Sequence, residues 1–478
     1  MTISLAISFV VESLSSFRGA SKNFALLSRF IGQILPSYSS IRQWVLRMGL
    51  YLLQRPCEYR HDWLYIADLT LELGAHKCLV VLGISQARWK QIVEQSAGKL
   101  CYQDLSLLAL KVMKSTKGDL IYPILEAVGD QVGVPLQLVS DQGSDLYKGI
   151  RLYHQAHPSV QVTYDVTHQS ARLLKGELEL DPIYQRFVSR CTRTRQQLQQ
   201  SRLSFLRPPA QRSKARYFNI DTLLKWAKLV LAYQKQQDFS RVNPGYCLDS
   251  SALKTLSEQL TTEVNAALKP LKQKPFPDQK AFIEALKGCL SEAVFCDVGS
   301  LICQTADLGR RYFEEKLGWV SDYQEALEPF NQMLFLVRTL QYQLKHQGFN
   351  QHSKTDFIKQ TADLTLSKRL EDFLAKLIAY IDHETTALPP NQPLLASSDL
   401  IESVFGKYKL FSQRSSLKHM GHLLLTLPLL TTQLTSELVK TAMETVSFCD
   451  VQHWYRQHFG ESPLAKRRAI FQTTKIDI

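Results

Sequence analysis

The chain has 478 residues, 45% apolar and 21% charged, which excludes a globally disordered polymer and leaves room for roughly two to four structural units. A net charge of +13 excludes an acidic protein and suits a polyanionic partner, with nucleic acid, an acidic membrane surface and plain solubility all open. Nine cysteines, an odd number with no CxxC pair, read as reduced thiols; Cys296 and Cys303 have no His cluster beside them for a zinc site.

The opening MTISLAISFVVESLSSF lacks the basic start and small-residue cleavage site of a signal peptide. In residues 20–52, Leu26, Leu27, Phe30 and Ile31 form one apolar stripe and Pro36-Ser37 break it. Ile41, Trp44, Val45 and Met48 then fall at i, i+3, i+4 and i+7, with Arg42, Gln43 and Arg47 on the opposite face. Two helices around a tight break, the second basic, predict a helix-turn-helix-like DNA-binding region over 1–58 with Arg42 and Arg47 toward DNA. A solvated helical hairpin has the same pattern.

Residues 63–84 change to a strand period, WLYIADLTLELG and HKCLVVLGIS around Gly74, and predict a hairpin. Residues 100–115 read as helical, and so does ILEAVGDQVG after Gly118. PLQLVSDQG is a short strand, SDLYKGIRLYHQ a helix that Ser144 or Asp145 could cap, VQVTYDV another strand and THQSARLLKGELE the start of a helix. Strand signals then nearly vanish over 181–390, between punctuating Pro208-Pro209 and Pro389-Pro390. LLASSDLIESVFGKYK is a break followed by a helix, and the rest is helical to the basic LAKRRAIF. HLLLTLPLLTTQL, residues 422–434, is too short for a bilayer and holds a proline, so no membrane is expected. The domains expected are 1–58, a mixed core over 59–180, an all-helical insertion over 181–394, and a last core helix with its tail over 395–478.

Three carboxylates stand out. Asp68 interrupts an apolar strand, where a charge is costly unless paired, bound to a cation or turned to solvent at an edge. Asp141 ends a strand before Gln142-Gly143, where it could also simply begin a turn, and Asp145 competes for its place. Glu402 lies one turn into a helix and could instead complete a capping box with Asp399. Brought together, Asp68, Asp141 and Glu402 would supply hard oxygen ligands for Mg²⁺, or Mn²⁺, in phosphodiester chemistry. His168 either braces the helix it begins or handles DNA beside the metals, with Asp165 orienting it; it is not assigned as a ligand. Between Arg186 and Arg216 stand nine Lys/Arg and no Asp/Glu, a field that suits a phosphate backbone. Its candidates are Arg190, Arg193, Arg195, Arg202, Arg207, Arg212, Lys214 and Arg216. Lys407 and Lys409, beside Glu402, are candidates at the strand being cut. Trp226 and Trp319 could each stack on a base, but Trp226 lies on an apolar stripe and reads as core, and for Trp319, which follows Gly318 and is more open to exposure, stacking is the lesser of the two readings.

This order resembles the Asp-Asp-Glu DNA transposases that carry an insertion between the second Asp and the Glu. The resemblance rests on YIADLTL, QLVSDQG, Asp165-Val166-Thr167-His168, which is similar to the (Cys/Asp)-x-x-His motif of the hAT superfamily, and SSDLIESVFGKYK. It implies an RNase H-like α+β core, with the first Asp on the first strand, the second at the end of the fourth, and the Glu on a late helix. It further implies double-stranded DNA partners at element ends and target, a homo-oligomer, and a cytoplasmic, nucleoid-associated prokaryotic setting. Among bacterial insertion-sequence transposases, the Lys of the Tyr-Arg-Glu-Lys signature is matched by Lys409, but Leu395 and Ser398 stand where its Tyr and Arg belong. The alternatives are a nuclease that cuts without joining and a DNA-binding protein with a repurposed core.

Overall fold

The computed structural model describes residues 2–30, 35–71, 76–141, 143–201, 203–210, 219–236, 313–386, 388, 392–413 and 420–472, with scattered positions between 266 and 288. The fold is mixed α/β around one five-stranded sheet. Three helices open the chain: α1 (Thr2–Val11), α2 (Phe17–Leu27) and α3 (Tyr38–Gln54). Ser16 and Ser37 set the starts of α2 and α3, each hydroxyl accepting from the backbone N–H three residues on.

The sheet follows. β1 (Trp63–Leu71) pairs antiparallel with β2 (Lys77–Ser85), whose end is capped into α4 (Gln86–Ser96) by Ser85. Residues 106–113 differ from the helical expectation: they form β3 (Ser106–Met113), antiparallel to β2. Leu, Ala and Lys there carry helix propensity, but pairing with β2 overrides it. α5 (Gly118–Val132), β4 (Gln137–Ser140), α6 (Ser144–Ala156) and β5 (Gln161–Tyr164) complete this part, β4 and β5 running parallel to β1. The sheet order is β3-β2-β1-β4-β5. With a side-chain period of two, Trp63, Tyr65, Ala67 and Leu138 share one face and join Ile121, Leu125, Leu146, Ile150 and Tyr153 of α5 and α6 in an apolar core. Leu64, Ile66, Asp68, Gln137, Val139 and Thr163 take the other face.

The helices continue as α7 (Val166–Glu179), α8 (Pro182–Leu198), α9 (Ile220–Gln236), α10 (Glu328–Gln347), α11 (Ser353–Thr361), α12 (Lys368–Thr385) and α13 (Asp399–Ser412). After them come α14 (Leu427–Leu430), α15 (Ser436–Thr445), α16 (Phe448–Phe459) and α17 (Pro463–Gln472). The chain divides into two compact units, Met1–Ser170 with Val337–Ile478, and Ala171–Leu336. These bounds differ from the expected insertion at 181–394, because the stretch from 337 to 394 packs with the sheet. Its α12 seals the edge strand: Tyr164 N–H donates to Glu384 Oε2 at 3.0 Å, and Tyr380 Oη donates to Tyr164 O at 2.7 Å. Burial raises the Glu384 carboxyl, although the Tyr164 N–H and His383 oppose the shift.

α3 is packed against by α1 and α2 and, from far along the chain, by α14, α15, α16 and the turn His422–Thr426. Gly49 lies so close that an added Cβ would stand 1.8 Å from Leu425 O. The packed side of α3 carries Ile41, Val45, Leu46, Met48 and Leu50, while Tyr38 and Ser39 are exposed and Arg42 and Gln43 half-buried.

The described residues of the second unit are largely helical. Phe187, Trp226, Trp319 and Tyr323 meet there with ring centroids 5.4–6.3 Å apart. Trp319, expected outside, is 8% exposed, and its indole N–H donates to Lys316 O. Among the described residues, no helix is long and apolar enough to cross a membrane.

Candidate active site

Asp68 and Asp141 are brought together by strand register. β1 and β4 pair in parallel with Ile66 opposite Val139, so two residues further along both chains the two carboxylates emerge side by side from the polar face. Each first satisfies a local donor: Asp68 Oδ1 accepts from Leu69 N at 2.6 Å, and Asp141 Oδ1 from Gly143 N at 2.9 Å. Asp141 is thus both a turn residue and a sheet-end carboxylate. Burial, reinforced by the charge of Asp141, pushes the Asp68 carboxyl up to about 7, while the Leu69 N–H, His168 and Lys409 act in the opposite sense. Asp145, the competitor, looks elsewhere, its Oδ2 accepting from Thr116 Oγ1 at 2.6 Å.

Glu402 arrives by a separate route. Gln137, wholly buried on β4, grips the segment ahead of α13: its Nε2 donates to Leu395 O at 2.7 Å, and its Oε1 accepts from Leu395 N at 2.8 Å. Its Nε2 also donates to Thr163 Oγ1 at 2.7 Å. Asp165, fully buried, is the second tether. Its Oδ1 accepts from His168 N at 2.8 Å, capping α7, and its Oδ2 accepts from Ser398 Oγ at 2.8 Å and from Ser398 N. Asp165 therefore orients His168 through the backbone, not through the imidazole. Val166 N, donating to Ala396 O at 2.9 Å, adds a third. Held this way, α13 places Glu402 Oε1 2.8 Å from His168 Nε2, both side chains partly exposed.

The cap of α13 is Ser398, not Asp399. Burial alone would raise the Asp399 carboxyl, but Lys345, Thr167 and Ser397 hold it below its usual value. Lys409, two turns beyond Glu402, is exposed and acts electrostatically on Asp68. Lys407 lies over the Tyr102 ring, 3.9 Å from its centroid, and Tyr102 Oη meets Ser403 Oγ at 2.6 Å.

The remaining basic candidates separate by partner. Arg47 donates from Nε to Val446 O at 2.6 Å and from a terminal nitrogen to Met443 O, closing the end of α15. Arg42 lies over Phe448, and burial lowers its pKa. Arg190 pairs with Asp322 at 3.2 Å over the Trp319 ring, and Arg195 donates to Pro208 O at 2.7 Å. Arg193 and Arg207 are exposed. Arg202, Arg212, Lys214 and Arg216 lie outside the described residues.

Among the described residues, no group of three or more His, Cys, Asp or Glu is gathered as a metal centre, and the Glu402 carboxylate meets His168. The Asp68–Asp141 pair still fits a divalent cation: two carboxylates, one of them largely buried, repel each other, and a cation removes that repulsion. Sequence reading missed Gln137, Lys345, Tyr102 and Glu384; for Gln137 the available signal was a polar residue inside the apolar run PLQLV. Compared with models of known protein families and with curated proteins, the chain matches none.

Proposed function

We propose that the protein is a DNA transposase of the Asp-Asp-Glu type with an RNase H-like core, cutting phosphodiester bonds at element ends and joining the 3′-hydroxyl to target DNA. The observation that carries this reading is the side-by-side emergence of Asp68 and Asp141 from parallel strands, with a third carboxylate, Glu402, delivered to the same region on a late helix. Once β3 is counted, the strand ending at Asp141 is the fourth in the chain, the position that the resemblance implies.

Asp68 and Asp141 would hold Mg²⁺ or Mn²⁺, with Glu402 joining on release from His168. The cation supplies activation of the attacking hydroxyl and neutralises charge on the phosphate and leaving oxygen. The protein's own part is to orient Asp68 and Asp141 through β1 and β4, and to keep Glu402 within reach through α13. Lys409 is positioned to meet a phosphate beside Asp68, and Arg193 and Arg207 are exposed cations of the second unit open to a phosphate backbone.

The test is incubation with Mg²⁺ and labelled duplex DNA flanking the protein's own coding sequence, with a supercoiled plasmid as target. Wild type should cut and join, while Asp68→Ala, Asp141→Ala and Glu402→Ala should bind DNA and lose both steps. Cutting without joining would replace transposition by nuclease action. Binding without cutting under Mg²⁺ or Mn²⁺ would leave a DNA-binding protein.

A further inference from the structure

We propose that Gln137 is a positioning residue, setting where Glu402 stands relative to Asp68 and Asp141. This inference rests on the metal-dependent reading of that site. The tether spans 258 residues of sequence, so covalent connection does nothing to place α13 against the sheet. Non-covalent bonds must do it. Gln137 opens β4, four residues before Asp141, which follows directly on the strand's last residue, so one short segment carries a candidate ligand and the grip on the helix that brings another.

The grip is two-point and buried, which fixes direction as well as distance: amide oxygen and nitrogen engage Leu395 N and O together. The Asp165–Ser398 bonds fix the chain again four residues before Glu402. Removing the Gln137 amide leaves the Leu395 N–H and C=O buried without partners, a cost that the segment can relieve only by moving. A displacement of about 1 Å is enough to spoil a site of this kind.

Gln137→Met keeps the length and removes the grip. Thr163→Val removes the third Gln137 contact and leaves both Leu395 bonds. Ser398→Ala, a milder variant, loosens the second tether. The full-length proteins are compared by melting, by hydrogen exchange of amides 395–402, by Mn²⁺ titration without DNA, and by plasmid nicking at saturating Mn²⁺. The expected result is that Gln137→Met accelerates exchange at 395–402, weakens Mn²⁺ binding or nicking by ~10–100-fold, and leaves DNA affinity unchanged. Thr163→Val should stay near wild type even when its melting point falls as far. Ser398→Ala should lie between them.

A folded Gln137→Met protein matching Thr163→Val in exchange, Mn²⁺ affinity and nicking overturns the inference. If wild type neither binds Mn²⁺ nor nicks, the transposase reading falls separately. Exchange then still decides the grip: acceleration in Gln137→Met supports it, and unchanged protection overturns it.

Discussion

The two faces of the central sheet are built from alternate residues of the same strands and do opposite things. Toward α5 and α6 the side chains are Trp63, Tyr65, Ala67 and Leu138, closed and apolar. Toward α13 the buried apolar Leu64, Ile66 and Val139 are interspersed with Asp68, Gln137, Thr163 and, at the strand end, Asp141. The first face stabilises by removing apolar area from water; the second holds like charges together at a cost. A strand can serve both because its period of two separates the tasks residue by residue.

The sharpest break in that contrast would come from Asp141→Asn. It should abolish cleavage by orders of magnitude while leaving the melting point equal or higher, since it relieves repulsion on Asp68. A large fall in melting point would mean that the polar face is structural after all. On the opposite face, Leu138→Ala should destabilise by about 2–5 kcal/mol and spare cleavage per folded molecule at low temperature. Loss of cleavage without loss of stability there would erase the division of labour.

A third outcome concerns pH. The Asp68 carboxyl is raised from 3.8 to about 7, so the folded chain holds this proton more tightly than the unfolded chain. Its stabilising effect is therefore full below about pH 4 and lost as pH rises toward 7. Without metal, the melting-point advantage of wild type over Asp68→Asn should shrink across that window; millimolar Mg²⁺ should restore it above pH 7. The smallest effect expected is from Lys407→Ala, about 0.5–1 kcal/mol of stability from the lost Tyr102 contact.

What the sequence made legible follows the same division. The β1–β2 hairpin was readable because runs of strand-forming residues on either side of Gly74 are local signals. Asp68, Asp141 and Glu402 were readable as carboxylates in costly or strand-end places, and the structure brings the first two together by register. β3 was not readable, because SLLALKVM carries helix formers and only its neighbour makes it a strand. Trp319 was misjudged from Gly318 because its cover, Phe187 and Tyr323, is supplied by packing. The partners of α3 were hidden for the same reason: its amphipathic pattern shows that a face is buried, but not that residues beyond 420 bury it.

That last feature governs how the protein is made. Arg47 and the carbonyl it closes are 399 residues apart. At ribosomal speeds of about 5–20 residues per second, α3 waits roughly 20 to 80 s for the helices that cover it. During that interval Ile41, Val45, Leu46 and Met48, all fully enclosed in the finished fold, have no C-terminal cover. Nascent chains are therefore a natural client for holding chaperones. A product truncated before α15 keeps Asp68 and Asp141 but lacks the cover that α15 and α16 give α3, and the Arg47 guanidinium loses both of its carbonyl acceptors.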